Sequence, residues 1–141
     1  PLDYGGETKY GISQKQYPHL DIKNLTLGEA KAIYLHDFWI PLRAEELNFQ
    51  PLANHVFDLC VNAGQGDAVR GLQYALKECK QNIKIDGLIG SQTLWHANLV
   101  SPPEWLLEAY RTQQTKHYLR RIRIDKSQKT HIESWLGRAT A

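Results

Sequence analysis

The chain has 141 residues, 42% of them hydrophobic and 10% aromatic, which is enough for one globular core and too little for two independent ones. A net charge of +2 is too weak a basic balance to mark a nucleic-acid binder, although it favours approach to anionic polymers. No apolar run reaches membrane-spanning length, and the six histidines and two cysteines fall in no metal-ligand spacing, so no metal and no other cofactor is assigned.

At the N-terminus, Gly5 and Gly6 permit a sharp turn with positive φ. Beyond them, alternating Thr8, Tyr10 and Ile12 predict a short strand, and Gly11 lets a ligand approach the backbone closely. A polar, aromatic-bearing hairpin lip of this kind suits a sugar-binding cleft. Alternation turns Glu7 and Lys9 away from the face that Thr8 and Tyr10 share.

Thr26 and Glu29 form a capping box, which predicts a helix from about Leu27 to about Phe38, ended by Pro41. Leu25, Ile33, Phe38 and Trp39 are expected to pack inward, leaving Lys31 exposed. A second helix starts at Pro51, a favoured first helical position, and runs to Ala63. It is apolar almost all round, and hence central. Asp58 and Asn62 lie four apart on one of its faces. A carboxylate among Val56, Phe57, Leu59 and Val61 must be paired, hydrogen-bonded or neutral. Either it anchors the N-terminal hairpin from below, as buried polar groups commonly do, or it faces the floor of a cleft.

Gly64-Gln65-Gly66 breaks that helix, and Asp67 is expected to cap a third one carrying Val69, Leu72, Leu76 and Cys79 at helical spacing. Cys60 and Cys79 sit in apolar helical patterns, which favours buried free thiols, one disulfide being the alternative. Lys84 to Gly90 reads as a turn, with Ser91 capping a short helix through Leu94 and Trp95. The Asp86-Gly87-x-x-Gly90-x-x-Thr93 run lacks the alternating oxygen ligands and terminal glutamate of a calcium loop, so a capped turn explains it better. Ser101-Pro102-Pro103-Glu104 then combines an N-cap, a first-turn proline and a capping-box glutamate, opening a long helix that reaches about Arg123, and Ile132, Trp135 and Leu136 suggest a last amphipathic turn. Lys116, Arg120, Arg121, Arg123, Lys126 and Lys129 form a basic stretch that reads as a solvated helix face or as an electrostatic landing surface for anionic polymers.

The run Gly-Gly-x-Thr-Lys-Tyr-Gly-Ile-Ser over residues 5–13 resembles the signature of glycoside hydrolase family 108, bacterial and phage N-acetylmuramidases with a lysozyme-like fold. Phe57-Asp58-x-x-Val61-Asn62-x-Gly64, Leu72-Gln73 and Asp86-Gly87-x-x-Gly90-x-x-Thr93 resemble the predicted peptidoglycan-binding region that follows the hydrolase segment in that family. The resemblance implies a mainly α, lysozyme-like α+β fold: a single compact helical body with a small N-terminal β-hairpin. Residues 1–50 would be the hydrolase segment, and residues 51–141 the peptidoglycan-binding-like helical region packed with it.

The function so implied is hydrolysis of the β-1,4 bond between N-acetylmuramic acid and N-acetylglucosamine in peptidoglycan. Such chemistry needs a carboxylic acid that stays protonated near neutral pH and a second group across the bond. In the family the acid is a glutamate in a Glu-Gly-Gly motif just upstream of the hairpin. It is expected before Pro1, and the 141-residue chain alone is expected to be inactive. Asp3 is the candidate for the second group, or else a turn-forming residue before Gly5. Thr8 holds the attacking water or contacts sugar, or else satisfies a strand edge. Tyr10 and Gly11, with Asp58 and Asn62, are the candidate substrate-binding residues, core packing being the alternative for Tyr10. The expected partner is the peptidoglycan glycan strand in the periplasm or cell wall, with an export system or a holin as a further one. A non-catalytic peptidoglycan-binding or secretion-accessory protein is the alternative.

Overall fold

The N-terminal motif folds as a hairpin whose turn falls inside the expected strand. Strand β1 (Thr8–Lys9) pairs antiparallel with β2 (Ile12–Ser13), Thr8 opposite Ser13 and Lys9 opposite Ile12. Tyr10 and Gly11 make the two-residue turn, with φ of 52° and 81°. Two successive positive φ values match the twist of a tight hairpin, and this geometry overrides the period-two alternation. The expected shared face of Thr8 and Tyr10 is therefore not formed. The structure, a computed structural model, describes residues 7–124. Asp3, Gly5, Gly6, Lys126, Lys129 and the turn expected around Ile132, Trp135 and Leu136 lie outside the described residues.

Helix α1 (Leu27–Tyr34) begins at the expected capping box: Thr26 Oγ1 accepts the Glu29 N–H at 3.1 Å and Glu29 Oε1 accepts the Thr26 N–H at 2.9 Å. It stops four residues before the expected Phe38, because Leu35–Trp39 widens into a π-turn in which the Ile40 N–H reaches the Leu35 carbonyl at 2.9 Å. A wide turn shifts every later side chain around the axis, and such bulges recur beside functional sites. Leu25 is buried as expected, Ile33, Phe38 and Trp39 are half-buried, and Lys31 is exposed.

Helix α2 (Gln50–Ala63) has its proline in the first turn and stands at the centre of the molecule, against α3 (Gln65–Glu78), α5 (Pro103–Ile124) and the π-turn. Leu52, Ala53, Val56, Leu59 and Cys60 fill the main core with Val69, Leu72 and Leu76 of α3 and Leu106 and Tyr110 of α5. Fully burying one such leucine contributes about 2 kcal/mol. A satellite core of Ile12, Ile22, Leu25 and Ala30 sits under the hairpin. Both cysteines are free thiols, Cys60 buried and Cys79 half-buried.

Three expected caps are displaced by one to three residues. Gly64, with φ 95° and ψ 159°, ends α2 and is itself the N-cap of α3, so Asp67 sits inside the first turn and pairs with Arg70 at 2.8 Å. Gly90 precedes α4 (Ser91–Leu99), which makes Ser91 the first helical residue. The last helix begins at Pro103, so Ser101 lies too early to cap it. An acidic residue in a first turn still stabilises the helix dipole, which accounts for Asp67 at a non-cap position.

Gln73, 1% exposed, is the hub between α3 and the turn before α4. Its Oε1 accepts the N–H groups of Asp86 and Gly87 at 3.1 and 2.9 Å, while its Nε2 donates to Asp86 Oδ1, the Leu88 carbonyl and Thr93 Oγ1. Asp86 Oδ1 also accepts the Leu88 N–H at 3.0 Å, and these donors hold its carboxyl below the usual range. One buried amide thus ties together Gln73, Asp86, Gly87 and Thr93, four residues of the second resemblance.

Candidate active site

A cavity of about 430 Å³ opens between the hairpin turn, the α1–π-turn segment and α2. Gly11 and Ile12 form its lip, Tyr34 and Phe38 one wall, and Phe57, Asp58, Val61 and Asn62 its floor. Its size is that of an ordinary small-ligand site, in the range of roughly 300–1,000 Å³.

The floor explains why α2 reads as apolar nearly all round. One face enters the core, whereas Phe57, Asp58, Val61 and Asn62 are half-buried and line the cavity. Of the two roles open to Asp58 and Asn62, the helix places both beside the cleft. Asn62 Nδ2 donates to the Asp58 carbonyl at 2.9 Å, one turn back, which fixes its carboxamide against the floor.

The wall is aromatic. Tyr34 lies 5.9 Å from Phe38 and 6.3 Å from Phe57, and Trp39 packs edge-on against Phe57 at 5.3 Å between centroids. The Tyr34 hydroxyl donates to the Tyr10 carbonyl at 2.7 Å, and desolvation raises its pKa, which keeps that donor protonated. A Cβ on Gly11 would collide with the same hydroxyl, and φ of 81° is itself hostile to a side chain. Close approach at Gly11 is thus first of all approach by Tyr34. Nearby, Tyr17 donates to Asp37 Oδ2 at 2.5 Å, and burial, followed by that carboxylate, pushes the phenol up to about 12.

The other expected site residues are spread more widely. Thr8 is exposed on β1 and Tyr10 is 47% exposed at the hairpin tip; neither lines the cavity, whereas Gly11 does. Lys9 Nζ donates to the Lys23 carbonyl at 3.2 Å and stands 5.6 Å over the Tyr10 ring, which ties the strand down. Glu7 is exposed. Sequence reasoning missed Gln16, Tyr34, Phe38, Phe57 and Val61 as cavity residues. The signal was present in the i,i+4 pairs Tyr34/Phe38 and Phe57/Val61, which repeat the spacing of Asp58/Asn62.

The fold and the cleft define a lysozyme-like helical protein. The glycosyl hydrolase 108 family matches residues 1–64, and the family described as a predicted peptidoglycan domain matches residues 67–140. The peptidoglycan-domain match takes in just over half of the chain, which therefore belongs to that family, and the residues before it are similar to glycosyl hydrolase 108. Among solved structures, the chain is similar to that described as the structure of Brucella abortus SagA, with a TM-score of 0.71 and 20% identity over 99% of this chain and 83% of that one. That likeness shows the fold. No curated protein matches the sequence. The two family matches meet at the Gly64 joint between α2 and α3, and they assign the chain a lysozyme-like, peptidoglycan-related role at the bacterial cell wall or periplasm.

Proposed function

We propose that the protein containing this chain is an N-acetylmuramidase that hydrolyses the β-1,4 bond between N-acetylmuramic acid and N-acetylglucosamine. The general acid is a glutamate of a segment preceding Pro1, and Asp3 with Thr8 provides the second catalytic group and the water contact. The observation that supports this reading is the cleft beneath the hairpin, whose aromatic wall of Tyr34 and Phe38 and polar floor of Asp58 and Asn62 suit a sugar ring. Aromatic faces stack on the apolar faces of pyranoses, while a carboxylate and a carboxamide fix their hydroxyl and acetamido groups.

In that cleft, binding energy is collected by the wall and floor and applied at the scissile bond, where a raised-pKa acid protonates the leaving oxygen. The spacing of the two catalytic groups sets the stereochemistry: about 5–5.5 Å for retention, about 6.5–9.5 Å for inversion. The test compares a parent protein carrying the upstream glutamate with its glutamate-to-glutamine variant on purified sacculi. Release of reducing ends by the first and not the second is expected; equal release by the 141-residue chain sinks the proposal.

A second reading has one observation in its favour. The predicted peptidoglycan domain takes in residues 67–140, a longer stretch than the hydrolase match over residues 1–64. A non-catalytic peptidoglycan-binding or secretion-accessory protein, acting beside an export system or a holin, would keep the cleft and need no acid. Retention on sacculi without release of reducing ends by the glutamate-bearing parent would favour it.

A further inference from the structure

A second concavity, of about 460 Å³, lies between α3 and α5 on a different part of the surface. Its lining differs in kind from that of the sugar cleft. Helix α3 contributes Asp67, Arg70, Tyr74 and Glu78, and α5 contributes Lys116, His117 and Arg120. Arg70 is paired with Asp67, but Lys116 and Arg120, one turn apart and exposed, form no ion pair among the described residues. His117 is only 8% exposed, lines the groove, and has a buried Nε2 without a hydrogen-bond partner. Buried polar atoms are nearly always satisfied, so an orphan ring nitrogen beside a cavity marks the place of an absent partner. Half-exposed Tyr74 adds an aromatic wall.

We propose that this groove binds the peptide arm of peptidoglycan, a short chain that carries free carboxylates and, on its diamino acid, an ammonium group. Lys116 and Arg120 hold the carboxylates, Glu78 and Asp67 face the ammonium, and the His117 imidazole meets a polar group of the peptide. Both signs of charge in one groove fit a zwitterionic ligand better than a neutral sugar or a uniformly anionic phosphate polymer. The assignment rests on the peptidoglycan reading given above and adds to it a separate contact for the part of the wall that the sugar cleft does not touch.

The 141-residue chain is titrated, at low and at moderate salt, with a free stem peptide, a peptide-free disaccharide and a glycerol-phosphate oligomer, and its retention on intact sacculi is measured in parallel. The partner variants are K116Q/R120Q, which alters exposed helix positions, and H117Q. Saturable binding of the stem peptide is expected, weakened at least about tenfold by K116Q/R120Q, because charge-assisted hydrogen bonds are lost. Amide shifts on stem-peptide addition should map to α3 and α5, while any shifts from the disaccharide map to the hairpin and α2. Retention on sacculi without stem-peptide binding overturns the groove assignment and leaves the peptidoglycan reading standing. Binding of the phosphate oligomer in place of the peptide, or a K116Q/R120Q affinity equal to that of the parent, also overturns it. Failure to be retained on sacculi as well as failure to bind peptide overturns both.

Discussion

The Tyr34 hydroxyl and the Tyr10 carbonyl, 2.7 Å apart, join the π-turn end of α1 to the hairpin tip across the mouth of the cleft. Gly11 makes room for that bond, since a side chain there would strike the same hydroxyl. The two residues therefore share one constraint, and the first prediction follows from it. Gly11→Ala should destabilise the chain by about 1–3 kcal/mol, through positive-φ strain plus the clash. Tyr34→Phe removes the colliding oxygen, so G11A/Y34F should be less destabilised than the sum of the single changes. Urea unfolding of the four proteins measures the coupling, and strict additivity would contradict it.

Gln73→Ala leaves the Asp86 and Gly87 N–H groups and Thr93 without their buried partner. A loss of about 3 kcal/mol is expected, from two orphaned donors and a small cavity. Hydrogen exchange should speed up first at Asp86 and Gly87. Unchanged protection at those amides would show that water replaces the amide without cost.

His117 is held neutral: burial lowers its pKa below 6.5, with Arg120 and Arg121 adding to the effect and Asp67 opposing it. The unfolded chain takes up a proton near 6.5 while the folded one does not. Stability contributed by this group is therefore complete above about 6.5 and declines as pH falls from there toward the lower native value. H117Q should flatten the urea midpoint against pH between about 7 and 5 relative to the parent. Parallel curves for the two proteins would exclude the linkage.

The folded chain should present one slow thiol and one that is nearly inert. Desolvation pushes Cys60 up to about 11, while Cys79, half-buried, is raised by its burial and by the Glu78 carboxylate. Reaction with an aromatic disulfide at pH 8 should label Cys79 first and Cys60 only on unfolding, because the thiolate is the nucleophile. Equal rates in the native state would show that α2 opens far more readily than its core position implies.

In a parent protein that carries the upstream glutamate, Asp58→Asn and Asn62→Ala test the cleft floor. If the pair binds substrate, kcat/KM on sacculi falls at least about tenfold while the unfolding midpoint moves little. A large fall in stability with normal turnover of the folded fraction would assign both residues to anchoring instead.

Much of this architecture was legible beforehand because helix signals are local. The Thr26/Glu29 box and Pro51 predicted the starts of α1 and α2 to within a residue. What escaped was decided by backbone geometry that residue identity states weakly. Tyr10 is no usual positive-φ residue, so the turn at Tyr10-Gly11 was hidden behind a convincing alternation. The π-turn at Leu35–Trp39 has no sequence mark at all, and it ended the expected helix early. At the cavity, the chemistry of Asp58, Asn62 and Gly11 marks them in the sequence as candidates, whereas Tyr34, Phe38 and Phe57 carry the pattern of ordinary core residues and only the folded arrangement sets them along its wall.

The joint at Gly64 has a consequence for how a wall strand would be handled. Because one residue closes α2 and opens α3, the helix under the cleft and the helix beside the charged groove meet with no linker between them. A glycan gripped at one and a peptide gripped at the other would be gauged against a fixed molecular ruler. Cross-linked and uncross-linked stretches of wall would then differ in how well they fit its two marks.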